Sequence, residues 1–283
     1  MGVFPEAFVP VGIDALATVR SLILEDRLIP YLGPGLLSLG GAPVPASPEA
    51  VAAGLHRLAP APKRIRDSMW SVAQYIESKR HRKTLTKFMA SLFAAPCQPN
   101  ALQHWLAGLP LALVVDAWYD GAMAAAMRAA GRDDFLEIQG APRTYLGAND
   151  WTRAYDHAGA AVESPAPPRT LLYTPHGSAR PANNFLIADS DYVEVLTEID
   201  IQTPVPDEVQ ARRALRGFVF LGCRFHDQML RTYARQIMKR SAGPHFAVVD
   251  AGTLTRNEAK FLVDHAIAPI AAPLDEVAAA LVG

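Results

Sequence analysis

The chain has 283 residues, a hydrophobic content of 50% and a formal net charge of -1 at pH 7. This composition supports a large packed core and gives no reason to expect nonspecific attraction to nucleic acid or to membranes. The chain has only 2 cysteines, Cys97 and Cys223, so a four-cysteine zinc site is impossible. The two are far apart in the sequence, and no metal site is expected. With neither a signal-peptide pattern nor a membrane-length apolar run, we expect a cytoplasmic protein.

The first third of the chain begins like a nucleotide-binding α/β unit. Apolar residues at helical spacing predict a helix over 13–27, and the apolar run Leu28–Leu32 predicts a strand. This run stops at Gly33-Pro34-Gly35, and the pattern over 49–108 is helical throughout. We therefore predict one domain over 1–283, in which residues 46–108 form a small helical module inserted after the first strand.

From residue 111 onward, strand and helix patterns alternate. Strands are predicted at 111–115, 135–138, Thr170–Thr174, 218–221, His245–Val249 and 267–270, and helices at 120–130, 191–199, 207–216, 227–240, 255–265 and Leu274–Val282, with 144–166 irregular. The strands are apolar on both faces, which is typical of a parallel sheet covered by helices. We expect an α/β fold with a doubly wound (Rossmann-type), mostly parallel sheet, whose ligand binds at the carboxyl ends of the strands.

Unusual residues follow several predicted strands directly. Glycines follow the first strand, Asp120 the second, His176 the strand Thr170–Thr174, and Gly222 the strand 218–221. In a doubly wound sheet these turns converge on one rim. Each also has a plain structural interpretation, because glycines make turns, Asp caps helices and histidines at strand ends are often hydrogen-bonded rim residues.

Five short segments resemble, in order, those of sirtuin-like (SIR2-like) domains, which are relatives of the sirtuins found in bacterial NAD-consuming proteins. They read YLGPGLLSLGGAPVP, HWLAGLPLALVVDAWYDGAM, TPHGS, ADSDYVEVL and FVFLGCRFHDQML. The resemblance implies a Rossmann-type domain that binds NAD or ADP-ribose, with His176 as the catalytic histidine and Asp120 as its orienting partner. A histidine near its usual pKa suits proton transfer to or from a ribose hydroxyl.

The same resemblance implies a set of cofactor-binding residues. Asp250 is added because an acidic residue at this strand end commonly contacts the adenosine ribose in Rossmann folds. The predicted set is Gly33, Pro34, Gly35, Leu36, Ser38, Trp118, Gly177, Gly222, Cys223, Asp227 and Asp250. For Asp227 the alternative is a helix cap, and for Trp118 it is a core or lid aromatic.

Three departures from the family pattern lie at the reacting end. Pro34 has no backbone N–H to offer a phosphate, Leu37 stands in a serine position, and Trp118 stands where the family has its catalytic asparagine. An indole ring cannot reproduce both the donor and the acceptor of an amide. Protein deacylation on the usual zinc-supported platform is not expected, because the cysteines for that module are missing.

Two functional hypotheses follow, and a third rests on the fold alone. The first is a protein that binds NAD or ADP-ribose with weak or lost catalysis, a pseudoenzyme candidate. The alternative is an active NAD+ glycohydrolase that releases nicotinamide through His176, with Asn183 or Asn184 positioning water. If the resemblance is one of fold only, the cleft would take an unrelated small ligand. Beyond the dinucleotide, a partner protein or self-association stays open.

Overall fold

The computed structural model describes residues 8–142, 151–163, 167–192 and 205–283. Nine strands in these residues form one sheet, and their bounds are β1 Leu28–Leu32, β2 Leu113–Asp116, β3 Phe135–Gly140, β4 Thr152–Tyr155, β5 Ala161–Val162, β6 Thr170–Thr174, β7 Gly217–Leu221, β8 His245–Val249 and β9 Ile267–Ala271. The strand order is β5-β4-β3-β6-β2-β1-β7-β8-β9. In this sheet order, every neighbouring pair from β3 through to β9 is parallel. The antiparallel pairs are β3–β4 and β4–β5, at one edge of the sheet.

Helices flank the sheet, as the sequence predicted. Their bounds are α1 Ala15–Leu24, α2 Pro48–Leu58, α3 Met69–Arg80, α4 Arg82–Leu92, α5 Ala101–Ala107, α6 Ala122–Ala129, α7 Asp207–Arg213, α8 Gln228–Met238, α9 Arg256–Asp264 and α10 Leu274–Val282. A 3-10 helix, Pro34–Leu39, follows β1 directly. The α/β fold class with a mostly parallel sheet is thus confirmed, and α2 to α5 occupy the stretch predicted as an inserted helical module.

The two faces of the sheet bury separate hydrophobic clusters. In β1, Ile29 and Tyr31 belong to one cluster, while Leu28 and Leu32 belong to the other. This alternation follows from the period-two side-chain direction of a strand. Helices α2 to α4, α8 and α9 contribute to the first cluster, and α1, α5, α6 and α10 contribute to the second. Both faces are therefore covered, which explains why the central strands read as continuous apolar runs.

The chain order reverses around β1. Strand β2 pairs with one edge of β1 and β7 pairs with the other, so the sheet grows outward in both directions from this strand. Such a topological switch point leaves a crevice beyond the carboxyl ends of the two diverging strands. The fold therefore places the turn after β1 beside the turn after β7, where the sequence predicted its binding residues.

One part of the secondary-structure prediction was wrong. Residues 152–155 and 161–162, predicted irregular, form the antiparallel strands β4 and β5 at the edge of the sheet. They are short and partly exposed, so they lack the apolar run that marks a buried strand. Most of the helix predicted over 191–199 lies outside the described residues.

Candidate functional site

The turn after β1 is built by close backbone contact with the turn after β7. The Gly33 N–H donates to the Leu221 carbonyl at 2.9 Å, and the Gly35 N–H donates to the Gly222 carbonyl at 2.9 Å. A Cβ on Gly222, whose φ is +67°, would lie 2.6 Å from the Leu36 backbone nitrogen. Only glycine fits there without strain.

The sequence predicted that the backbone N–H groups of this turn would bind a phosphate, but they form hydrogen bonds within the protein. The Leu36 N–H donates to the Gly33 carbonyl at 3.2 Å, and the N–H groups of Gly33 and Gly35 are likewise engaged within the protein. Pro34 has no N–H to give. The Ser38 hydroxyl, though exposed, donates to the Gly35 carbonyl at 2.7 Å. Any phosphate at this turn would therefore need donors from outside the glycine segment.

A cavity of about 590 Å³ opens beside this turn, beyond the ends of β7, β8 and β9. Its volume is within the usual range for small-molecule sites. The lining includes Gly35, Gly222, Cys223, Arg224, Val249 and Asp250. Four members of the predicted cofactor-binding set thus share one cavity: Gly35, Gly222, Cys223 and Asp250.

Asp250 stands on the open side of this cavity. Its side chain accepts hydrogen bonds from the Gly252 N–H at 2.9 Å and from the Thr253 hydroxyl at 3.1 Å. The residue is exposed, so a ligand in the cavity has access to its carboxylate. Asp250 directly follows the carboxyl end of β8, the strand next to β7.

Arg224 is a cation in the same cavity that the sequence analysis missed. Its Nε donates to Glu258 Oε1 at 2.8 Å and its Nη2 donates to Glu258 Oε2 at 3.1 Å. Burial raises the pKa of Glu258, but hydrogen bonds from Arg224, Thr255 and the Phe225 N–H outweigh this and lower it to about 2. Glu258 therefore stays ionised and holds the guanidinium in place. The local signal was the basic residue directly after Gly222-Cys223.

A second, smaller cavity of about 240 Å³ adjoins the first on the side of the inserted helices. Gly35, Gly222 and Arg224 line both cavities, so the two adjoin at the glycine turn, and we refer to them together as the groove. Its far wall includes Glu49 from α2 and His226 from the turn after β7. His226 Nε2 lies 2.7 Å from Glu49 Oε1, which joins the inserted helices to the sheet.

His176 occupies a different environment, a closed aromatic chamber. The imidazole is 2% exposed, and the rings of Trp70, Tyr119, Tyr192 and Tyr233 surround it at centroid distances of 6.4, 6.4, 5.9 and 4.5 Å. Burial lowers the pKa of His176 to about 3, so the ring is neutral at pH 7.

The hydrogen bonds of His176 differ from the predicted arrangement. Its Nδ1 lies 2.9 Å from the Tyr192 hydroxyl, which also donates to the Leu186 carbonyl at 2.8 Å. Its Nε2 is buried without a hydrogen-bond partner among the described residues. The ring is thus oriented by a tyrosine, and Asp120 is hydrogen-bonded elsewhere.

Trp118 lies in the core beneath the inserted helices. It is 2% exposed, and its indole N–H donates to the Pro45 carbonyl at 2.8 Å. Its ring packs against Phe93 and Tyr119 at centroid distances of 6.1 and 5.1 Å. Trp118, which the sequence resemblance assigned to the position of an asparagine, is therefore a packed, hydrogen-bonded core residue.

Comparison with known protein families shows which family the chain belongs to. Residues 112–270, more than half of the chain, match the SIR2-like domain family. The chain belongs to the SIR2-like domain family. Membership points to an NAD-related function. No curated protein matches the chain.

In this SIR2-like chain, Asp120 forms part of a buried acidic pair. Its carboxylate accepts from the Ala122 N–H at 2.7 Å at the start of α6, whose N-cap residue is Gly121 rather than the predicted Asp120. Burial, with Asp120 and Glu137 nearby, raises the pKa of Asp116, whose Oδ2 has no hydrogen-bond partner in the described part of the chain. Burial also raises the pKa of Asp120. Burial therefore disfavours the charged form of both carboxyl groups.

The remaining predicted residues have structural roles in a helix cap, a turn and the core. Asp227 caps α8 by accepting from the Met229 N–H at 2.7 Å. Gly177 has a φ of +79°, and a Cβ there would lie 2.2 Å from the Asn184 carbonyl oxygen. Leu36 is a core residue with 2% exposure.

The described residues contain neither a membrane-spanning helix nor a cluster suited to a metal ion. No helix there combines the length and apolarity needed to cross a bilayer. Within the same ranges, no cluster of three or more histidine, cysteine or acidic side chains is arranged to hold a metal ion.

Proposed function

We propose that this protein binds NAD or ADP-ribose through the ADP portion, in the groove between the turns after β1 and β7, with weak or lost catalysis. The observation that carries the proposal is the open cavity of about 590 Å³ at the switch point of a SIR2-like sheet. Its apolar lining suits an adenine, and the exposed Asp250 suits the hydroxyls of the adenosine ribose.

Arg224 supplies the positive charge that a diphosphate requires. Arg224 lines both parts of the groove, and its side chain is 41% exposed while Glu258 holds it. A fixed, planar guanidinium binds phosphate oxygens more strongly than a neutral donor does. Nε and Nη2 of this guanidinium donate to Glu258 and Thr253, and one N–H of Nη1 donates to Thr253 Oγ1. The second N–H of Nη1 is the donor left to replace the glycine-turn amides.

The case for weak catalysis comes from the reacting end of the site. Trp118 is packed and hydrogen-bonded where sirtuin-like domains carry an asparagine, and His176 is sealed by four aromatic rings. A general base must come within hydrogen-bond reach of the proton that it takes. With the rings in this arrangement, the imidazole does not reach a ligand in the groove.

One observation favours the alternative, an NAD+ glycohydrolase. His176 Nε2 is buried without a partner, and the ring is neutral at pH 7 because burial lowers the pKa of His176 to about 3. The unpaired Nε2 could accept a proton only once the chamber opens and solvent restores the pKa of His176 towards its usual value. Incubation with NAD decides between the two: nicotinamide release that His176→Ala abolishes supports hydrolysis, and none above that control supports silent binding.

Calorimetric titration with ADP-ribose and NAD tests binding itself. We expect Arg224→Ala to weaken both ligands by about tenfold or more, because a charge-assisted contact to the diphosphate is lost. Arg216→Ala is the matched control, since Arg216 also pairs with a carboxylate, Asp26, but lies at the amino end of β7. Failure of the wild-type protein to bind either ligand would refute the proposal.

A further inference from the structure

Another cavity, of about 300 Å³, lies between α8 and α9, and we call it the α8–α9 cleft. Among the described residues, it shares no lining residue with either cavity of the groove. Its lining is almost entirely polar or charged, and consists of Gln228, Arg231, Thr232, Arg235, Asn257, Lys260, Phe261, Asp264 and His265. Small-molecule sites are lined mainly by apolar groups. The cleft is therefore better suited to a charged partner.

The two walls of the cleft are single faces of two helices. Residues 228, 231, 232 and 235 follow the i, i+3, i+4, i+7 spacing along α8, and residues 257, 260, 261 and 264 follow it along α9. Burial and the nearby Arg235 cation lower the pKa of His265, although Asp264 raises it in part. Arg235 on one wall thus acts on the end of the other, and His265 is mostly neutral at pH 7.

Positive charge prevails in the cleft. Its lining carries three cations, Arg231, Arg235 and Lys260, against one carboxylate, Asp264. Lys260 Nζ lies 2.9 Å from Asp264 Oδ2, but these side chains are 67% and 49% exposed. An exposed pair of this kind contributes little to stability. Lys260 is therefore able to exchange this contact for one with another anion.

The two arginines both leave donors for a ligand. Arg231 Nη1 donates to the carbonyls of Phe225 and His226, which holds its guanidinium at the start of α8. Arg235 is exposed, and its side chain forms neither a hydrogen bond nor an ion pair with any residue that the structure describes. Like charges one turn apart on a helix repel each other. An anion between the two guanidinium groups would remove this repulsion.

The spacing of the arginines favours an extended partner. Arg231 and Arg235 are four residues apart, which is about 6 Å along the axis of α8. In an extended peptide, side chains on one face repeat about every 6.6 Å, so carboxylates at alternate positions match both arginines. A helical partner would need an apolar groove, and Phe261 is the one apolar residue among the described lining residues.

We propose that the α8–α9 cleft is a docking surface for an extended acidic segment of a partner protein, whose alternate aspartate or glutamate side chains pair with Arg231, Arg235 and Lys260. The net charge of the chain is -1, so the protein as a whole has no general attraction for polyanions. Because the cleft and the groove have separate linings, docking does not depend on dinucleotide binding.

Fluorescence anisotropy with a short labelled peptide, in which glutamate alternates with serine, tests the docking surface. The same peptide with glutamine in place of glutamate measures the uncharged background. We expect Arg235→Gln to weaken binding of the glutamate peptide by about threefold or more, and its combination with Lys260→Gln by about tenfold or more, because charge-assisted contacts are lost. Arg80→Gln and Lys83→Gln are the matched controls, since both cations are exposed where α3 meets α4 and neither lines the cleft.

The controls should bind the glutamate peptide with the affinity of the wild-type protein. Equal weakening in Arg80→Gln or Lys83→Gln, or equal binding of the glutamine peptide, would reveal nonspecific attraction and overturn the proposal. Displacement of the peptide by inorganic phosphate at constant ionic strength would also overturn it, because the cleft would then be a site for small anions.

A wild-type protein that does not bind the glutamate peptide would likewise overturn the docking surface. If Arg235→Gln then changed the oligomeric state in sedimentation experiments, the same face would belong to a contact between copies of this chain. Arg235→Gln should leave the unfolding midpoint and the affinity for ADP-ribose unchanged. Failure of the docking surface is thereby distinguishable from failure of the proposed function, which the ADP-ribose titration alone decides.

Discussion

The groove beside β7 to β9 and the chamber around His176 share one rim of the sheet but differ in access. The groove is open, with Asp250 exposed and Arg224 held at its side by Glu258. The chamber is closed, and its histidine is 2% exposed among aromatic rings. Topology alone put both at the carboxyl ends of parallel strands. Packing decides which of them a ligand can reach, so a conventional position does not by itself make a side chain functional.

The largest expected effect concerns the floor of the groove. Gly222→Ala should lower the free energy of unfolding by about 3 kcal/mol, because it combines a left-handed backbone with an overpacked Cβ. The new methyl group would lie 2.6 Å from the Leu36 nitrogen. Urea unfolding measures the change. Gly12→Ala is the control, since a Cβ at Gly12 would meet no atom within 4 Å. Equal stability of the two variants would show that the turns after β1 and β7 are not in close contact.

The second prediction concerns the chamber and its dependence on pH. Burial lowers the pKa of His176 to about 3 from 6.5, so the unfolded chain binds more protons than the folded protein between these values. Stability should therefore fall as pH falls from 6.5 towards 3, by at most about 1.4 kcal/mol per pH unit. His176→Phe removes this contribution. From pH 6.5 to pH 5, the wild-type protein should lose about 2 kcal/mol relative to the variant.

Urea unfolding at several pH values, with ADP-ribose titrations at pH 7, completes this test. His176→Phe should bind ADP-ribose with the affinity of the wild-type protein, because the chamber around residue 176 does not line the groove. His104→Phe serves as the control, since His104 is exposed on α5. A pH dependence shared by wild type and His176→Phe would contradict the buried neutral histidine. A large loss of affinity in His176→Phe would instead place the imidazole in the ligand site.

An opposite pH dependence is expected from Glu137 on β3. Burial raises the pKa of Glu137 to about 7, although Gln139 and Arg128 lower it in part. The folded protein then holds a proton that the unfolded chain releases, so its contribution to stability is present below pH 4.5 and is lost as pH rises through 7. Glu137→Gln should therefore raise the free energy of unfolding by about 1–2 kcal/mol at pH 8 and change it little at pH 4.

Denaturation at both pH values measures this difference. Glu208→Gln is the control, since Glu208 is 50% exposed and pairs with Arg212. It should show no comparable pH-dependent gain in the free energy of unfolding. If Glu137→Gln were destabilising at pH 8, the carboxylate would have to be ionised and well paired in the folded protein. The pair with Arg128, whose Nη2 lies 3.7 Å from Glu137 Oε2, would then have to stabilise that ionised carboxylate.

The parallel core was predictable because its signals are local. The bounds of β1, β6, β8 and α10 agree with the sequence prediction, since each is marked by an apolar run or by helical spacing between clear breaks. The order of the rim loops was equally predictable, because the carboxyl ends of parallel strands share an edge. Strands β4 and β5 escaped prediction because short, half-exposed edge strands lack that pattern.

The electrostatic details of the site were not predictable for a different reason. The pair Arg224–Glu258 joins residues 34 positions apart, and His226–Glu49 joins residues 177 positions apart. The aromatic rings around His176 come from four separate segments of the chain. No local sequence pattern indicates such contacts. The sequence therefore predicted where the rim lies but not which of its side chains are accessible to a ligand.

The smallest effect is expected at Trp118, and it tests the boundary between the two regions. Trp118→Phe keeps an aromatic ring against Phe93 but loses the indole N–H that donates to the Pro45 carbonyl. We expect a loss of about 1 kcal/mol in unfolding free energy from that hydrogen bond, with ADP-ribose affinity unchanged. Trp105→Phe, on the opposite face of the sheet, controls for the change of ring size. If Trp118 instead lined the ligand site, affinity would fall while stability stayed constant, and the closed chamber would have to be redrawn as part of the groove.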